Sequence, residues 1–339
     1  MSRGKKKHRE PAPAPKRVEP APAPERAAIS PRALVAGALA LVALGLVLFL
    51  TVGSGDGGDE EEAASAGGEL RTPWVDPDGQ SPIVGSVDVN PGDGSLWLST
   101  NTGLFRVPKG SGTPERVTGR LETDVGEGSI SEQLVIRFRG PDDLIASGHP
   151  PAGEALPAAL GMIASKDAGK TWTGLGEVGR NDFHAIQIAG DLIVAGVYGE
   201  PSVTVSRDGG RTFETSTPPE TLVDLEVDPD DPKRWVASTF EELVVTEDEG
   251  RSWRPVEPIP NVRFAWPAGD TLLRVDPGGP VKVSSDGGRT WQDRGSTGGE
   301  PQAMFAETRE HVYVALFDGT VKESTDGGRT WTDRVVPPA

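Results

Sequence analysis

The sequence predicts an all-β fold, a six-bladed β-propeller, preceded by a single N-terminal transmembrane helix. Three observations lead there: an octet that recurs five times, strand-like runs ahead of each copy, and one long uncharged apolar run near the N-terminus. Self-similarity at a period of roughly 40 residues is the mark of four-stranded blades arranged in a ring.

The octets are Ser165–Trp172, Ser206–Phe213, Thr246–Trp253, Ser284–Trp291 and Ser324–Trp331. Their aspartates, Asp167, Asp208, Asp248, Asp286 and Asp326, recur at nearly equal intervals, each about the length of one blade. Each octet reads as a hairpin turn. The aspartate carboxylate can accept backbone N–H groups two and more residues on and so close the turn. Glycine at the fifth position permits a backbone angle that a Cβ would penalise. Thr or Ser then opens the next strand, and Trp or Phe supplies a large apolar group for packing between layers. The aspartates are therefore expected to be structural, not catalytic.

Strand patterns fill the intervals. The third unit reads as strands over Phe183–Ala189, Leu192–Val197 and Ser202–Val205, and the fourth over Leu222–Val227, Trp235–Ser238 and Leu243–Val245. A unit without a proper octet lies in front. Val89-Asn90-Pro91 with Trp97 repeats the spacing of Val227-Asp228-Pro229 with Trp235, and this register puts Lys109 where the octet aspartate belongs. The interval from Lys109 to Asp167 is longer than one blade needs and too short for two. The surplus is expected as loops around Gly119–Ser131 and Pro150–Leu160, which gives six blades.

The octet pattern, Ser/Thr-x-Asp-x-Gly-x-Thr/Ser-Trp/Phe, resembles the Asp-box, or BNR repeat, of sialidases, sortilin-type receptors and many bacterial surface proteins. The resemblance covers roughly residues 80–334. It implies a propeller whose boxes lie on the periphery, away from any active centre.

From Ala33 to Val52 the chain carries no charge, and Thr51 is the sole polar side chain. Twenty residues at helical rise span about 30 Å, the thickness of a bilayer's hydrocarbon core. A cleaved signal peptide has a shorter apolar core of roughly 7–15 residues. Residues 1–32 hold nine Lys and Arg against three acids, and the remainder holds 25 against 48. Basic flanks stay cytoplasmic. The expected order is a basic, proline-rich cytoplasmic tail at 1–32, a transmembrane helix at 33–52, an acidic flexible linker at 53–71 and an extracytoplasmic propeller at 72–336. The expected location is the cell membrane.

The formal net charge is −17 and there is no cysteine. An acidic outer domain repels phosphate backbones, so no nucleic-acid partner is expected. Neither disulfides nor thiol chemistry are available. Among candidate sites, His149, Asp182 and His184 come from strand–loop junctions of consecutive blades. Asp182 and His184 alternate across Phe183 and so share a side of their strand. Imidazole and carboxylate together suit a divalent metal or a polar ligand. No other cofactor is expected. Gly148-His149-Pro150 and Asp182-Phe183-His184 also resemble segments of actinobacterial Asp-box proteins labelled glycosyl hydrolases. Those relatives carry a His-x-His-Gly segment opening the first blade, where this chain reads Ile83-Val84-Gly85-Ser86.

Other candidates carry structural readings. Phe105-Arg106-Val107-Pro108 resembles the arginine box of sialidases, but the register places it on a third strand, away from the axis. Tyr198 and Tyr313 have no evident Glu partner in the sequence for a Tyr–Glu nucleophile. Asp228, Asp230 and Asp231 read as a tight turn or as calcium ligands. Trp97, Trp172, Trp235, Trp253, Trp291 and Trp331 follow the repeat and should pack, whereas Trp266 falls outside it and could reach a ligand. The expected function is a non-enzymatic binding or scaffold domain for protein or glycan. The alternative is a glycoside hydrolase.

Overall fold

A computed structural model describes residues 82–130, 133–151 and 153–337. The proposed tail, transmembrane helix and linker lie outside these residues, and no described helix is long and apolar enough to cross a membrane.

The described chain is a six-bladed propeller. Blade 1 is β1 (Val84–Val89), β2 (Leu96–Thr100), β3 (Gly103–Val107) and β4 (Glu115–Val117). A hairpin of β5 (Gly119–Thr123) and β6 (Gly126–Ile130) follows. Blade 2 is β7 (Leu134–Phe138), β8 (Leu144–Gly148), β9 (Met162–Ser165) and β10 (Thr171–Gly176), and blade 3 is β11 (Phe183–Ala189), β12 (Leu192–Val197), β13 (Val203–Ser206) and β14 (Glu214–Ser216). Blade 4 is β15 (Leu222–Val227), β16 (Trp235–Thr239), β17 (Leu243–Thr246) and β18 (Arg254–Glu257). Blade 5 is β19 (Arg263–Ala268), β20 (Thr271–Val275), β21 (Pro280–Ser284) and β22 (Gln292–Ser296), and blade 6 is β23 (Pro301–Ala306), β24 (Val312–Leu316), β25 (Val321–Ser324) and β26 (Thr332–Val335).

The first strand of each blade packs against the first strands of its neighbours, so these six strands surround the axis. Second strands such as Leu96–Thr100 and Trp235–Thr239 are buried at every position, because both faces of a blade are covered by the adjacent blades. The core accordingly divides by junction. Six buried apolar clusters each straddle one pair of neighbouring blades among the described residues. Full burial of each large side chain contributes about 1.5–3 kcal/mol. Trp97, Trp172 and Trp235 are among the largest fully buried side chains, as the repeat register predicts.

Side chains of the inner strands also stitch the ring by accepting backbone N–H groups that no ladder serves. Ser86 Oγ and Asp88 Oδ2 in blade 1 accept Ile136 N and Phe138 N of blade 2, at 3.1 and 3.0 Å. Asp224 Oδ2 accepts Phe264 N of the next blade at 2.8 Å. Ring closure uses the same device: Gln302 Oε1 of blade 6 accepts Val84 N of blade 1 at 2.7 Å. Each blade is made from consecutive strands, so no strand is exchanged at the seam. Arg334 instead reaches across to Pro108 O at 3.1 Å and to Ser111 O, the turn that holds Lys109 in place of an octet aspartate.

The octets form the turns between third and fourth strands. Asp286 is representative: Oδ1 accepts Ser284 Oγ at 2.7 Å, Arg289 N at 3.0 Å and Thr290 N at 2.9 Å, and Oδ2 accepts Thr290 Oγ1 at 2.6 Å. The fourth octet position is left-handed as well as the fifth, even where it is Ala168 (φ 57°) or Glu249 (φ 62°).

One expected loop is corrected. Residues 119–130 form the β5–β6 hairpin, and β5 pairs in parallel with β10, extending blade 2 to six strands. The segment GRLETDVGEGSI looks loop-like because its outer side chains are polar. Its few inward groups, Leu121 and Ile130, are fully buried, and the open edge of β10 supplies the ladder.

Candidate metal centre

His149, Asp182 and His184 converge where blades 2 and 3 meet. His149 follows β8 directly. Gly148 makes the exit possible: its φ is +146°, and a Cβ there would clash with Gln133 O. Asp182 and His184 flank Phe183, which is fully buried and whose N–H donates to Ser147 Oγ at 3.1 Å. That anchor turns the two flanking side chains to the same side of the strand.

Nε2 of His149 and Nε2 of His184 each lie 2.9 Å from one oxygen, Asp182 Oδ2. One ligand atom from each of the three residues falls within 4.8 Å of the others, and among the described residues no other His, Asp and Glu group meets this spacing. Asp182 is 14 % exposed, whereas His149 and His184 are 37 % and 41 % exposed, so the cluster has a buried floor and an open top. The second oxygen of Asp182, Oδ1, is buried without a hydrogen-bond partner.

Partial burial works to raise the Asp182 carboxyl, but hydrogen bonds and charge from the two imidazoles outweigh it and hold the group well below the carboxylate range. The bond to Asp182 raises His149 above its ordinary value against a smaller effect of burial, with Ala158 O helping. His149 Nδ1 lies 2.7 Å from Ala158 O. A carbonyl only accepts, so Nδ1 carries a proton and Nε2 is the nitrogen left to bind a metal. A second-sphere carbonyl of this kind orients metal-binding histidines generally.

Tyr198 belongs to the same cluster. Its ring stacks on His184 at 4.1 Å between centroids and 21° between planes, and its N–H donates to Asp182 O at 2.8 Å. The strand pattern places Tyr198 at the end of its strand without joining it to His184. The available signal is its position opposite the start of β11, since Val197 pairs with Phe183.

The remaining candidates take structural places. Arg106 lies at the periphery, bonded to Asp93 Oδ2 at 2.8 Å and Ser95 Oγ at 3.2 Å. Asp228 Oδ1 accepts Asp230 N and Asp231 N at 2.9 and 3.3 Å, which makes this acidic run a turn. Trp266 is 6 % exposed, packs between blades 4 and 5, and lines a cavity at the ends of the inner strands. The expectation that neither tyrosine has a Glu partner is corrected for Tyr313. Its hydroxyl is 3.3 Å from Glu323 Oε1 and 2.9 Å from His311 Nε2, because the β24–β25 ladder sets Tyr313 opposite Glu323. Burial and the charges of Glu323 and Glu307 push the phenol well above its ordinary value, which opposes a nucleophilic role.

No family model matches the chain, and no curated protein matches it. Solved structures do. The GH74 enzyme of Niastella koreensis is 14 % identical with a TM-score of 0.53, over 74 % of this chain and 45 % of that one. An ancestral GH74 enzyme is 14 % identical with a TM-score of 0.50, over 80 % and 39 %. YCF48 from Cyanidioschyzon merolae is 15 % identical with a TM-score of 0.48, over 74 % and 84 %. The chain thus spans less than half the length of either GH74 enzyme. By fold it stands among the β-propellers, and at this identity the likeness is one of fold alone.

Proposed function

We propose that the chain is a membrane-tethered, extracytoplasmic binding propeller of Asp-box type, which engages a protein or glycan through a divalent metal held by His149, Asp182 and His184. The observation that carries this reading is the convergence of two imidazole nitrogens on one carboxylate oxygen at 2.9 Å, beneath an open surface. Two nitrogens and one carboxylate suit zinc or a similar ion, and three protein ligands leave a position for a ligand's own donor atom. A bound ion would supply Lewis acidity toward an oxygen donor. The residues do the positioning: Ala158 O fixes the His149 ring, Tyr198 braces His184, and the buried Oδ1 of Asp182 offers a second donor atom.

The tether is supported by the uncharged run at 33–52 behind a basic leader. A binding role is favoured over glycoside hydrolysis by the carboxylates around the axis. Hydrolysis needs two carboxyl groups free to act. Asp88 and Asp224 each give both oxygens to backbone N–H groups, so neither is free to act in that way.

The test is cobalt(II) titration of chelator-treated protein, followed by visible absorption. One equivalent should bind with nitrogen–oxygen ligation, and His184→Ala or Asp182→Asn should weaken it more than about tenfold. Stoichiometric binding that survives both substitutions would place the metal elsewhere.

A further inference from the structure

The propeller has a second candidate site at the other end of its inner strands. A cavity of about 430 Å³ is lined by the ends of β11, β15, β19 and β23, including Gln187, Glu226, Trp266 and Phe305. His184 is the second residue of β11 and Gln187–Ala189 end it, so the cavity is separate from the histidine cluster.

Glu226 departs from the stitching pattern. In the repeat register of Val89-Asn90-Pro91 on Val227-Asp228-Pro229, Ser86 corresponds to Asp224 and Asp88 to Glu226. Ser86 and Asp224 play the same part, each accepting an N–H from the following blade. Asp88 does so too, toward Phe138 N. Glu226, one methylene longer, instead accepts Gln187 Nε2 of the preceding blade at 2.8 Å through Oε1. Its Oε2 makes no hydrogen bond among the described residues and is the oxygen left for a ligand.

Two aromatic side chains wall the same cavity. Trp266 keeps its indole N–H buried without an acceptor. A carboxylate beside aromatic rings recognises organic ammonium groups, by charge and by the negative ring faces.

The charges around Glu226 are mixed and lean acidic. Asp88 on β1, Asp224 on β15 and Asp228 just beyond it face Arg137 on β7, Arg263 on β19 and Arg234. Arg234 is 3.7 Å from Asp228 and lies over the Trp266 ring. Burial, then the nearby Asp224, push Glu226 well above the carboxylate range, and Arg137 offsets this only in part. A cation seated here offsets the charges of Asp88 and Asp224 that crowd Glu226.

We propose that this axial cavity binds a small organic ammonium, the choline class, with the ammonium between Glu226 and the Trp266 and Phe305 rings. The site does not depend on the metal reading, so chelation should leave it intact.

The test is calorimetric titration of the full chain with free choline, tetramethylammonium and the neutral isostere of choline bearing a tert-butyl group. Choline should bind, with the isostere weaker by at least about tenfold, a difference of about 1.4 kcal/mol. Glu226→Gln should abolish the preference for charge. Trp266→Ala should weaken choline by removing one aromatic wall. Equal binding of choline and its isostere to the unmodified protein would overturn the proposal without any variant. So would phosphatidylcholine vesicles binding where free choline does not, or no heat with choline up to about 10 mM.

Discussion

Nδ1 of His149 lies 2.7 Å from the carbonyl oxygen of Ala158, and this contact together with the one to Asp182 places an acceptor at each ring nitrogen. Without metal, the ring that satisfies both is the imidazolium. A metal must displace the Nε2 proton, so metal binding and protonation compete at one atom.

The pH dependence follows with a definite sign. The folded-state pKa of His149 is raised above 6.5, so in metal-free protein its contribution to stability is full below 6.5 and is lost as pH rises through the folded value. Metal affinity runs the other way, weakening as pH falls through that same raised value. Cobalt titrations and thermal melts of wild type and His149→Gln across pH 5–9 should show the opposed trends in wild type only. Affinity independent of pH over that range would contradict the assignment of Nε2 as ligand.

Tyr198 is 54 % exposed, so its removal costs little stability. Its stacking holds the His184 ring. Tyr198→Ala should weaken cobalt binding several-fold at nearly constant melting temperature, and Tyr198→Phe should restore it, since the ring and not the hydroxyl makes the stack. A Phe variant as weak as Ala would point to the hydroxyl.

Asp286→Ala should act in the opposite manner. It removes four acceptor contacts that close one turn on the exposed rim, a loss of about 1–2 kcal/mol. Chemical denaturation should show that loss while cobalt affinity stays unchanged. The hydroxyl and backbone donors also hold Asp286 below its ordinary range, so this stabilisation is present above the usual carboxylate pKa and lost as pH falls through the lowered one. A stable variant that no longer binds metal would make the octet functional.

Ala168 holds a left-handed backbone angle in the first octet, where three other octets have glycine. Ala168→Gly relieves that strain and adds freedom to the unfolded chain, for a net gain of about 0.5 kcal/mol. Denaturant midpoints would measure it, and a lower midpoint would show that the loop tolerates alanine without strain.

Protease added to intact cells should remove an epitope after Val336 and spare one near Ser2, if the run at 33–52 anchors the chain with its basic leader inside. Loss of both epitopes would contradict this topology.

The blade count was legible because the octets are local: Asp, Gly and Trp do their work within one short turn, which reads the same wherever it sits. The convergence of His149, Asp182 and His184 was legible for a related reason, since strand–loop junctions of consecutive blades meet on one face. What escaped the sequence depends on partners far along the chain. The β5–β6 hairpin is held by the edge of β10, which the chain reaches only after building β7, β8 and β9. Tyr198 matters through a ring that β11 brings to it, and Glu323 meets Tyr313 only through strand register. Around the axis, whether an acid stitches or stays free turns on one methylene, as Asp88 and Glu226 show.

The seam between blades 6 and 1 has a mechanical meaning. Every blade is drawn from one continuous stretch, so blades can form one after another as the chain emerges, but the ring cannot close until blade 6 meets blade 1. The seam lacks a shared strand, so separating blades 6 and 1 breaks side-chain contacts, including Gln302 to Val84 and Arg334 to the Lys109 turn, and leaves every blade's own ladder intact. A pull transmitted from the N-terminal side arrives first at β1, one wall of that seam. Under tension the molecule should therefore open there as a ring of intact blades before any blade unravels.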